Sequence, residues 1–202
     1  MDDVKVNYMN DLEKAVINEY QALMKKEKLL REDLSELPFG YLQKKTISGK
    51  EYYYLQHREG KKVKSVYVKK EDLEETREKV EKRKEIEKGI KEIKKRKQAL
   101  EGIIDKDLLQ VLVIKQAVLK VIADYEGIKK VVLFGSRAEG RYRDDSDVDL
   151  MFESRESMSL MTQAEIRLRL EDELGLNVDL VHGPIKEDAF LEIDREVEIY
   201  AA

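Results

Sequence analysis

The strongest constraint on this chain is an apolar strand that runs into a glycine-led turn, with two spaced acids soon after. The apolar run at residues 131–134 leads directly into Gly135 and Ser136. Ten residues later a second apolar run begins, and Asp147 and Asp149 stand two positions apart at its start. Because alternate residues of an extended strand face the same side, these two carboxylates are predicted to point together.

The residue types in this segment suit a phosphate group and a metal ion. Gly135 has no side chain, so backbone N–H groups can approach a phosphate there, and the Ser136 hydroxyl can donate to it. Two aligned carboxylates repel each other unless a cation joins them, and their hard oxygen atoms suit Mg²⁺. The loop between the turn and the acids also supplies cations for phosphate oxygens, namely Arg137, Arg141 and Arg143. The segment therefore predicts phosphoryl or nucleotidyl transfer.

The spacing of these residues also resembles a known family. The pattern Gly135-Ser136-x10-Asp147-x-Asp149 is similar to that of the minimal nucleotidyltransferases of the polymerase-beta-like superfamily, and the likeness covers roughly residues 105–200. A turn and a paired acid motif at this separation form a specific signal, whereas two acids alone would not.

A third acid and one departure complete the resemblance. The family usually carries a further carboxylate within a short apolar string on a later strand, and Asp179 within residues 176–181 fits that place. Glu139 departs from the pattern, because the family more often has a basic or neutral residue there. Glu139 lies outside the predicted turn and metal positions.

The resemblance implies a role for each matched residue. The implied catalytic and metal-binding residues are Asp147, Asp149 and Asp179. The implied nucleotide-binding residues are Gly135, Ser136, Arg137 and Arg143. Two Mg²⁺ ions held by the acids would carry the phosphates of ATP, or of another nucleoside triphosphate, and the attacking hydroxyl. The alternatives are ordinary acids at a strand edge and solvated loop cations.

The resemblance further implies the transfer of a nucleoside monophosphate, AMP from ATP, to a hydroxyl group. Many minimal nucleotidyltransferases act as antitoxins that modify a tyrosine of a HEPN-type toxin, and the spacing here resembles that group. The implied acceptor is thus a protein toxin or a nucleic acid. The alternative is a non-catalytic adaptor that binds nucleic acid or protein and whose nucleotide-binding domain is a relic.

Composition excludes several other classes of site and partner. The 202-residue chain has no cysteine and two histidines, which excludes disulfides and thiolate metal sites and disfavours histidine zinc sites. No apolar run approaches the roughly 20 residues that a membrane helix needs. We therefore expect a cytoplasmic protein without a membrane partner.

Charge is distributed unevenly and predicts two domains, residues 1–104 and residues 105–202. The first carries a net charge of +5 and the second a net charge of −9. The first reads as a helix over residues 10–36, a three-stranded meander and a long charged helix over residues 71–104. The apolar stripe of this long helix is broken at Lys97 and predicts a coiled-coil-like seam. The simplest partner for the seam is the first helix, so the two would form an antiparallel helical arm that carries the meander. Such an arm could also form oligomers.

The second domain predicts an α+β fold. A helix over residues 107–125 precedes two short apolar strands, and a helix over residues 157–174 separates them from a third. A last helix is expected from Pro184 to about Ile193. The family's fold implies a mixed sheet backed by helices, with the three acids on adjacent strands.

The meander also has a composition that suits nucleic acid. Residues 41–70 contain nine lysine or arginine residues, two glutamates and five tyrosines. Aromatic rings among cations bind single-stranded nucleic acids by stacking and phosphate contact. The alternative is that the tyrosines cover a small sheet while the lysines keep it in solution, and the sequence favours this alternative.

Overall fold

A computed structural model describes residues 10–183 and 195–202. The helix predicted from Pro184 lies outside these residues. The described residues divide into two compact units, of which one is Leu29–Lys95 and the other combines the residues before and after it. The boundary between the units therefore falls inside the two long helices.

The elements of the first half follow the predicted order. They are helix α1 (Asp11–Ser35), strands β1 (Tyr41–Ile47), β2 (Lys50–Glu59) and β3 (Lys62–Val68), and helix α2 (Leu73–Glu101). The three strands form an antiparallel sheet in the order β1-β2-β3. Two-residue turns join them, and Ser48 and Gly49 have φ angles of 51° and 77°, as a tight hairpin turn requires.

Helices α1 and α2 run antiparallel within each unit. In the larger unit, the Tyr20 hydroxyl donates to Glu101 Oε1 at 2.7 Å, and Lys97 Nζ lies 3.3 Å from Glu27 Oε2. In the smaller unit, the Arg83 guanidinium donates to the carbonyl oxygen of Leu34 at 3.1 Å. Leu30 of the same unit approaches Gly89. Within each unit, residue numbers thus fall along α2 as they rise along α1, and the predicted helices with a small antiparallel sheet are confirmed.

Lys97 does not interrupt the apolar seam by turning to solvent. Its side chain is buried beside Glu27, and its ammonium group lies 5.4 Å from the centre of the Tyr20 ring. The neighbours Lys94 and Lys95 are exposed, as a charged outer helix face predicts. The seam therefore contains one buried ion pair, which offsets the cost of burying each charge.

The second half has an α+β fold, as predicted. Its elements are α3 (Lys106–Ile122), β4 (Ile128–Phe134), the short helix α4 (Gly135–Ala138), β5 (Val148–Ser154), α5 (Leu160–Leu174), β6 (Val178–His182) and β7 (Val197–Ala201). The sheet order is β6-β5-β4-β7. Strand β5 pairs antiparallel with β4 and parallel with β6, so the sheet is mixed.

The main core lies between this sheet, α3, α5 and the start of α1. Alternation along β4 sends Val131 and Leu133 into that core, whereas Val132 and Phe134 form a small cluster with Met151 on the other face. Helix α5 ends at Gly175, a C-cap in the left-handed conformation (φ 66°) that favours glycine. A methyl group there would come within 2.9 Å of the Lys25 backbone.

The compact units differ from the two domains expected from charge. Tyr20 and Met24 of α1 and Leu100 of α2 join the main core, because their apolar side chains pack with α3 and the sheet. A functional division at residue 104 stays a prediction. Within the described ranges, none of the helices combines the length and the apolar character that a bilayer crossing demands.

Candidate active site

The glycine-led turn follows β4 directly and packs against an acid of the next strand. Gly135 has a φ of 69°, in the left-handed region that favours glycine. A methyl group added there would lie 2.3 Å from Asp149 Oδ2 and 3.0 Å from its Cγ. The backbone of the turn and the Asp149 carboxylate are therefore in close contact, and only glycine leaves space for both.

Asp149 and Asp179 are brought side by side by strand register. Strands β5 and β6 are parallel, and these two residues are register partners within them. Neighbouring strands lie about 4.8 Å apart, and paired residues project from the same face of the sheet. On the other side of β5, strand β4 pairs Phe134 with Asp149. The turn that begins at Gly135 therefore lies beside Asp149.

Asp147 precedes β5 and is fixed by the chain around it. Asn177 Nδ2 donates to Asp147 Oδ1 at 3.2 Å, and Val148 N donates to the carbonyl oxygen of Asn177 at 2.9 Å. Asp147 and Asp179 are exposed, and Asp149 is half-buried. A ligand can therefore reach all three carboxylates from solvent.

The pKa of Asp149 is affected by its burial and by the two neighbouring acids. Burial, followed by the charges of Asp179 and Asp147, raises the pKa of the Asp149 carboxyl, and Arg137 opposes that rise. A cation among the three acids would relieve the same repulsion. In the part of the chain that the structure describes, no three acidic or histidine side chains already stand as close as in a preformed metal centre.

Arg137 is placed inside the protein. Its side chain is 3% exposed, and Nε and Nη2 donate to the carbonyl oxygen of Ser146 at 3.2 and 2.7 Å. Nε also lies 3.2 Å from the carbonyl oxygen of Asp147, and Nη1 donates to Gln110 Oε1 at 2.9 Å. These contacts differ from the phosphate contact expected from sequence. They tie the loop that carries Asp147 to helix α3.

The contact between Arg137 and Gln110 continues into a buried chain of hydrogen bonds. Gln110 Nε2 donates to the Tyr20 hydroxyl at 2.7 Å, and that hydroxyl donates to Glu101. Sequence reasoning missed Gln110, although an amide within the apolar face of α3 was a signal that it has a polar partner. The chain links α2, α1 and α3 to the loop before Asp147.

The remaining cations of the loop lie at the surface. Arg143 is exposed, and its backbone N–H donates to Ser146 Oγ at 2.9 Å. Arg141 forms an ion pair with Glu139, the residue that departs from the family pattern. Glu139 therefore neutralises a neighbouring arginine. Ser136 is half-buried in the turn, and its carbonyl oxygen accepts from Arg141 N at 2.9 Å.

Two family models match parts of this chain. The model described as polymerase beta nucleotidyltransferase matches residues 116–199, which include the turn and all three acids. A second model, for a domain of unknown function, matches residues 18–78.

Known proteins also resemble the chain. The protein adenylyltransferase MntA of Thermococcus cleftensis is 39% identical over 62 residues, or 31% of this chain and 63% of that relative. A candidate protein adenylyltransferase of Methanocaldococcus jannaschii is 31% identical over 68 residues, or 34% of this chain and 72% of that relative. The chain thus spans less than two thirds of the length of the first relative.

A solved complex of a tri-AMPylated Shewanella oneidensis HEPN toxin with an MNT antitoxin matches more weakly. The identity is 16% and the TM-score 0.35, with 46% of this chain and 73% of that chain covered. The family model and the adenylyltransferase relatives agree with the turn-and-carboxylate geometry described above, and on that combined ground the chain belongs to the polymerase beta nucleotidyltransferase family.

Proposed function

We propose that this protein transfers AMP from ATP to a hydroxyl group of a protein acceptor. The observation that carries the proposal is the pairing of Asp149 with Asp179 in register, directly beside the Gly135 turn. In the reaction, the acceptor oxygen forms a bond to the α-phosphorus, and the bond from that phosphorus to pyrophosphate breaks. A turn that holds the phosphates beside paired acids supports this chemistry.

The three acids would hold Mg²⁺ in this proposal. Asp147 and Asp149 supply hard oxygen ligands at the start of β5, and Asp179 supplies a third from β6. When bound, two ions would neutralise phosphate charge and stabilise the attacking and leaving oxygens. By family resemblance, Asp179 would accept the proton of the attacking hydroxyl.

The turn and the outer loop would bind the nucleotide. Gly135 leaves its backbone open to a phosphate group, and the Ser136 hydroxyl can donate to it. Arg143 is exposed in the same loop and can pair with a phosphate oxygen. Arg137 is instead proposed as a positioning residue, because its guanidinium holds the carbonyl groups of Ser146 and Asp147.

The positioning role predicts an effect of Gln110→Leu. This change removes the acceptor of Arg137 Nη1 and the donor to the Tyr20 hydroxyl, both of which are buried. We expect a loss of unfolding free energy of about 1–3 kcal/mol and a fall in transfer rate of roughly tenfold. Urea denaturation and rate measurements check both values.

A glutamine on the same helix provides the control. Gln116 Nε2 donates to α1, at 2.7 Å from Asn18 Oδ1 and 3.0 Å from Gln21 Oε1, and neither of these bonds leads to the acid loop. Gln116→Leu should therefore leave the transfer rate within about twofold of wild type. Equal loss of rate in both variants would contradict a positioning role for Arg137.

The proposed acceptor is a tyrosine of a HEPN-type toxin. The relatives named as protein adenylyltransferases support a protein acceptor, and the spacing of the turn and the acids resembles the antitoxin group. A toxin partner would make this protein one half of a toxin–antitoxin pair.

Labelled ATP tests the proposed reaction directly. The protein is incubated with Mg²⁺, a HEPN-type toxin and ATP that carries its label on either the α- or the γ-phosphate. We expect the α-label to join the toxin and the γ-label to leave with pyrophosphate, and EDTA to prevent both. Transfer of the γ-label would indicate a kinase instead. Absence of any transfer, with nucleotide binding retained, would favour the non-catalytic adaptor.

A further inference from the structure

The two faces of the three-stranded sheet differ sharply in their residues. Strand register assigns alternate residues of β1, β2 and β3 to one face. We call this the tyrosine face; its residues are Tyr41, Gln43, Lys45, Ile47, Lys50, Tyr52, Tyr54, Gln56, Arg58, Val63, Ser65 and Tyr67. Four tyrosines and three cations lie on it, and among these twelve described residues none is acidic.

The acids of the sheet lie on the opposite face, where each has a cation partner. Glu51 is ion-paired with Lys44, and Glu59 is ion-paired with Lys64. The cations of the tyrosine face are therefore not neutralised by acids of the same face. The resulting surface is positive, although the whole chain has a net charge of −4.

Three of the four tyrosine rings lie close together, and two of the four are exposed. The Tyr67 ring centre lies 5.7 Å from that of Tyr54 and 6.3 Å from that of Tyr52. Lys45 Nζ lies 4.9 Å from the centre of the Tyr54 ring. Tyr41 and Tyr67 are 50% and 52% exposed. Two of the four tyrosines, Tyr41 and Tyr67, are thus about half-exposed, and an ammonium group lies over a third ring.

Packing of the sheet accounts for only part of these rings. The buried residue of the sheet, Val68, lies on the opposite face with the half-buried Leu42 and Leu55. On the tyrosine face Tyr52 and Tyr54 are half-buried, whereas Tyr41 and Tyr67 are exposed. His57 of the opposite face contacts the edge of the Phe39 ring, with ring centres 5.7 Å apart. A sheet that needed only solubility would also have no reason to place all its acids on one side.

We propose that the tyrosine face binds single-stranded nucleic acid. Bases would stack on the exposed rings, and Lys45, Lys50 and Arg58 would contact the phosphates. Stacking requires unpaired bases, so a duplex cannot use the rings. An acidic peptide could use the cations but has no bases to stack. A sheet of this size with several rings suits about two or three stacked bases.

Matched charge variants on the two faces test the proposal in the full-length protein. One variant is Lys45→Gln/Lys50→Gln/Arg58→Gln, and the control is Lys44→Gln/Lys62→Gln/Lys64→Gln. Both remove three cations, and the control also leaves two glutamates without their ion-pair partners. Affinity for a fluorescent 15-nucleotide oligouridylate or oligothymidylate is measured by anisotropy over a range of salt concentrations.

We expect the tyrosine-face variant to bind at least tenfold more weakly and the control to change less than threefold. Because the variant cannot pair its three substituted side chains with phosphates, the slope of log affinity against log salt should fall by about 2. Tyr67→Leu should weaken binding roughly tenfold through weaker stacking, whereas Tyr53→Leu on the opposite face should not. Circular dichroism confirms that each variant folds.

Several results would overturn the proposal. One is an equal loss of affinity in the two triple variants. Another is a duplex or a polyglutamate peptide that binds as tightly as the single strand. A third is that no oligonucleotide binds at low salt. The inference is independent of the transfer reaction. An Asp147→Asn/Asp149→Asn protein should retain its full affinity for the oligonucleotide, so failure of either proposal can be told from failure of the other.

Discussion

Asp149→Asn is expected to lower AMP transfer by about 10³-fold while leaving the protein as stable as wild type or more so. The charge that would hold the metal ions is removed, and several kcal/mol of transition-state stabilisation correspond to that factor. The amide keeps the size of the carboxylate, so the contact with the Gly135 turn is preserved. The rate is measured with α-labelled ATP at saturating Mg²⁺.

The stability half of this prediction follows from the raised pKa of Asp149. An acid whose pKa is higher in the folded state than in the unfolded chain destabilises the folded state at neutral pH, where it is charged. A neutral asparagine removes the repulsion from Asp147 and Asp179. Thermal denaturation without metal should therefore show an unchanged or higher Tm, and added Mg²⁺ should raise the Tm of wild type only.

A neighbouring acid supplies the control for Asp149. Asp145 is exposed in the loop before the motif, and Asp145→Asn removes one charge near the same site. We expect that variant to retain transfer within about threefold. If Asp149→Asn kept a tenth or more of the wild-type rate, the reaction would have to occur elsewhere in the protein.

Glu27→Leu is expected to destabilise the protein by about 3–5 kcal/mol. Glu27 and Lys97 are 5% and 7% exposed, and their charged atoms lie 3.3 Å apart. Removing the carboxylate takes this ion-pair partner from the buried ammonium group of Lys97, which also lies over the Tyr20 ring. The unfolding free energy is measured by urea denaturation, with the m-value compared between variants.

The double variant Glu27→Leu/Lys97→Met tests whether the instability of Glu27→Leu comes from the unpaired Lys97 charge or from altered packing. Apolar side chains of similar size replace both charges, and such replacements are often neutral or stabilising. We expect its unfolding free energy to lie within about 1 kcal/mol of wild type. A double variant as unstable as Glu27→Leu alone would show that the ion pair is not the cause.

The sequence predicts the acids of the site better than it predicts their support. The spacing of Asp147 and Asp149, and the single acid in a later apolar strand, follow from strand periodicity and the family pattern. The environment of Arg137 does not, because its partner Gln110 lies on a helix 27 residues earlier. An arginine beside a glycine-led turn can contact a ligand or support a neighbouring loop, and only the tertiary structure shows which contacts it makes.

The burial of Lys97 is likewise not predictable from local sequence, because its partner lies on another helix. A lysine that interrupts an apolar stripe is usually taken to reach solvent, and here Glu27 on the facing helix keeps it inside. The sequence held a signal, since Glu27 stands between Leu23 and Leu30 at helical spacing on α1. Matching an acid on one stripe to a cation on the other requires the alignment of the two helices, which periodicity alone does not give.

In the sheet of the first half, local sequence features predict which face each side chain occupies. Two-residue turns fix the pairing of Ile47 with Lys50 and of Glu59 with Lys62, and alternation then assigns every side chain to a face. Composition alone hides the difference between those faces, because the glutamates are counted together with all the lysines. Oligomer formation through the helical arm stays a prediction.

The parallel pairing of β5 with β6 limits how this protein can diverge. Helix α5 forms most of the crossover between the two strands. A shift of β6 by one residue would set Val178 or Leu180 beside Asp149 in place of Asp179. Insertions in the crossover are thus tolerable only when they bulge outward, and chimaeras that join halves from different relatives must preserve this alignment.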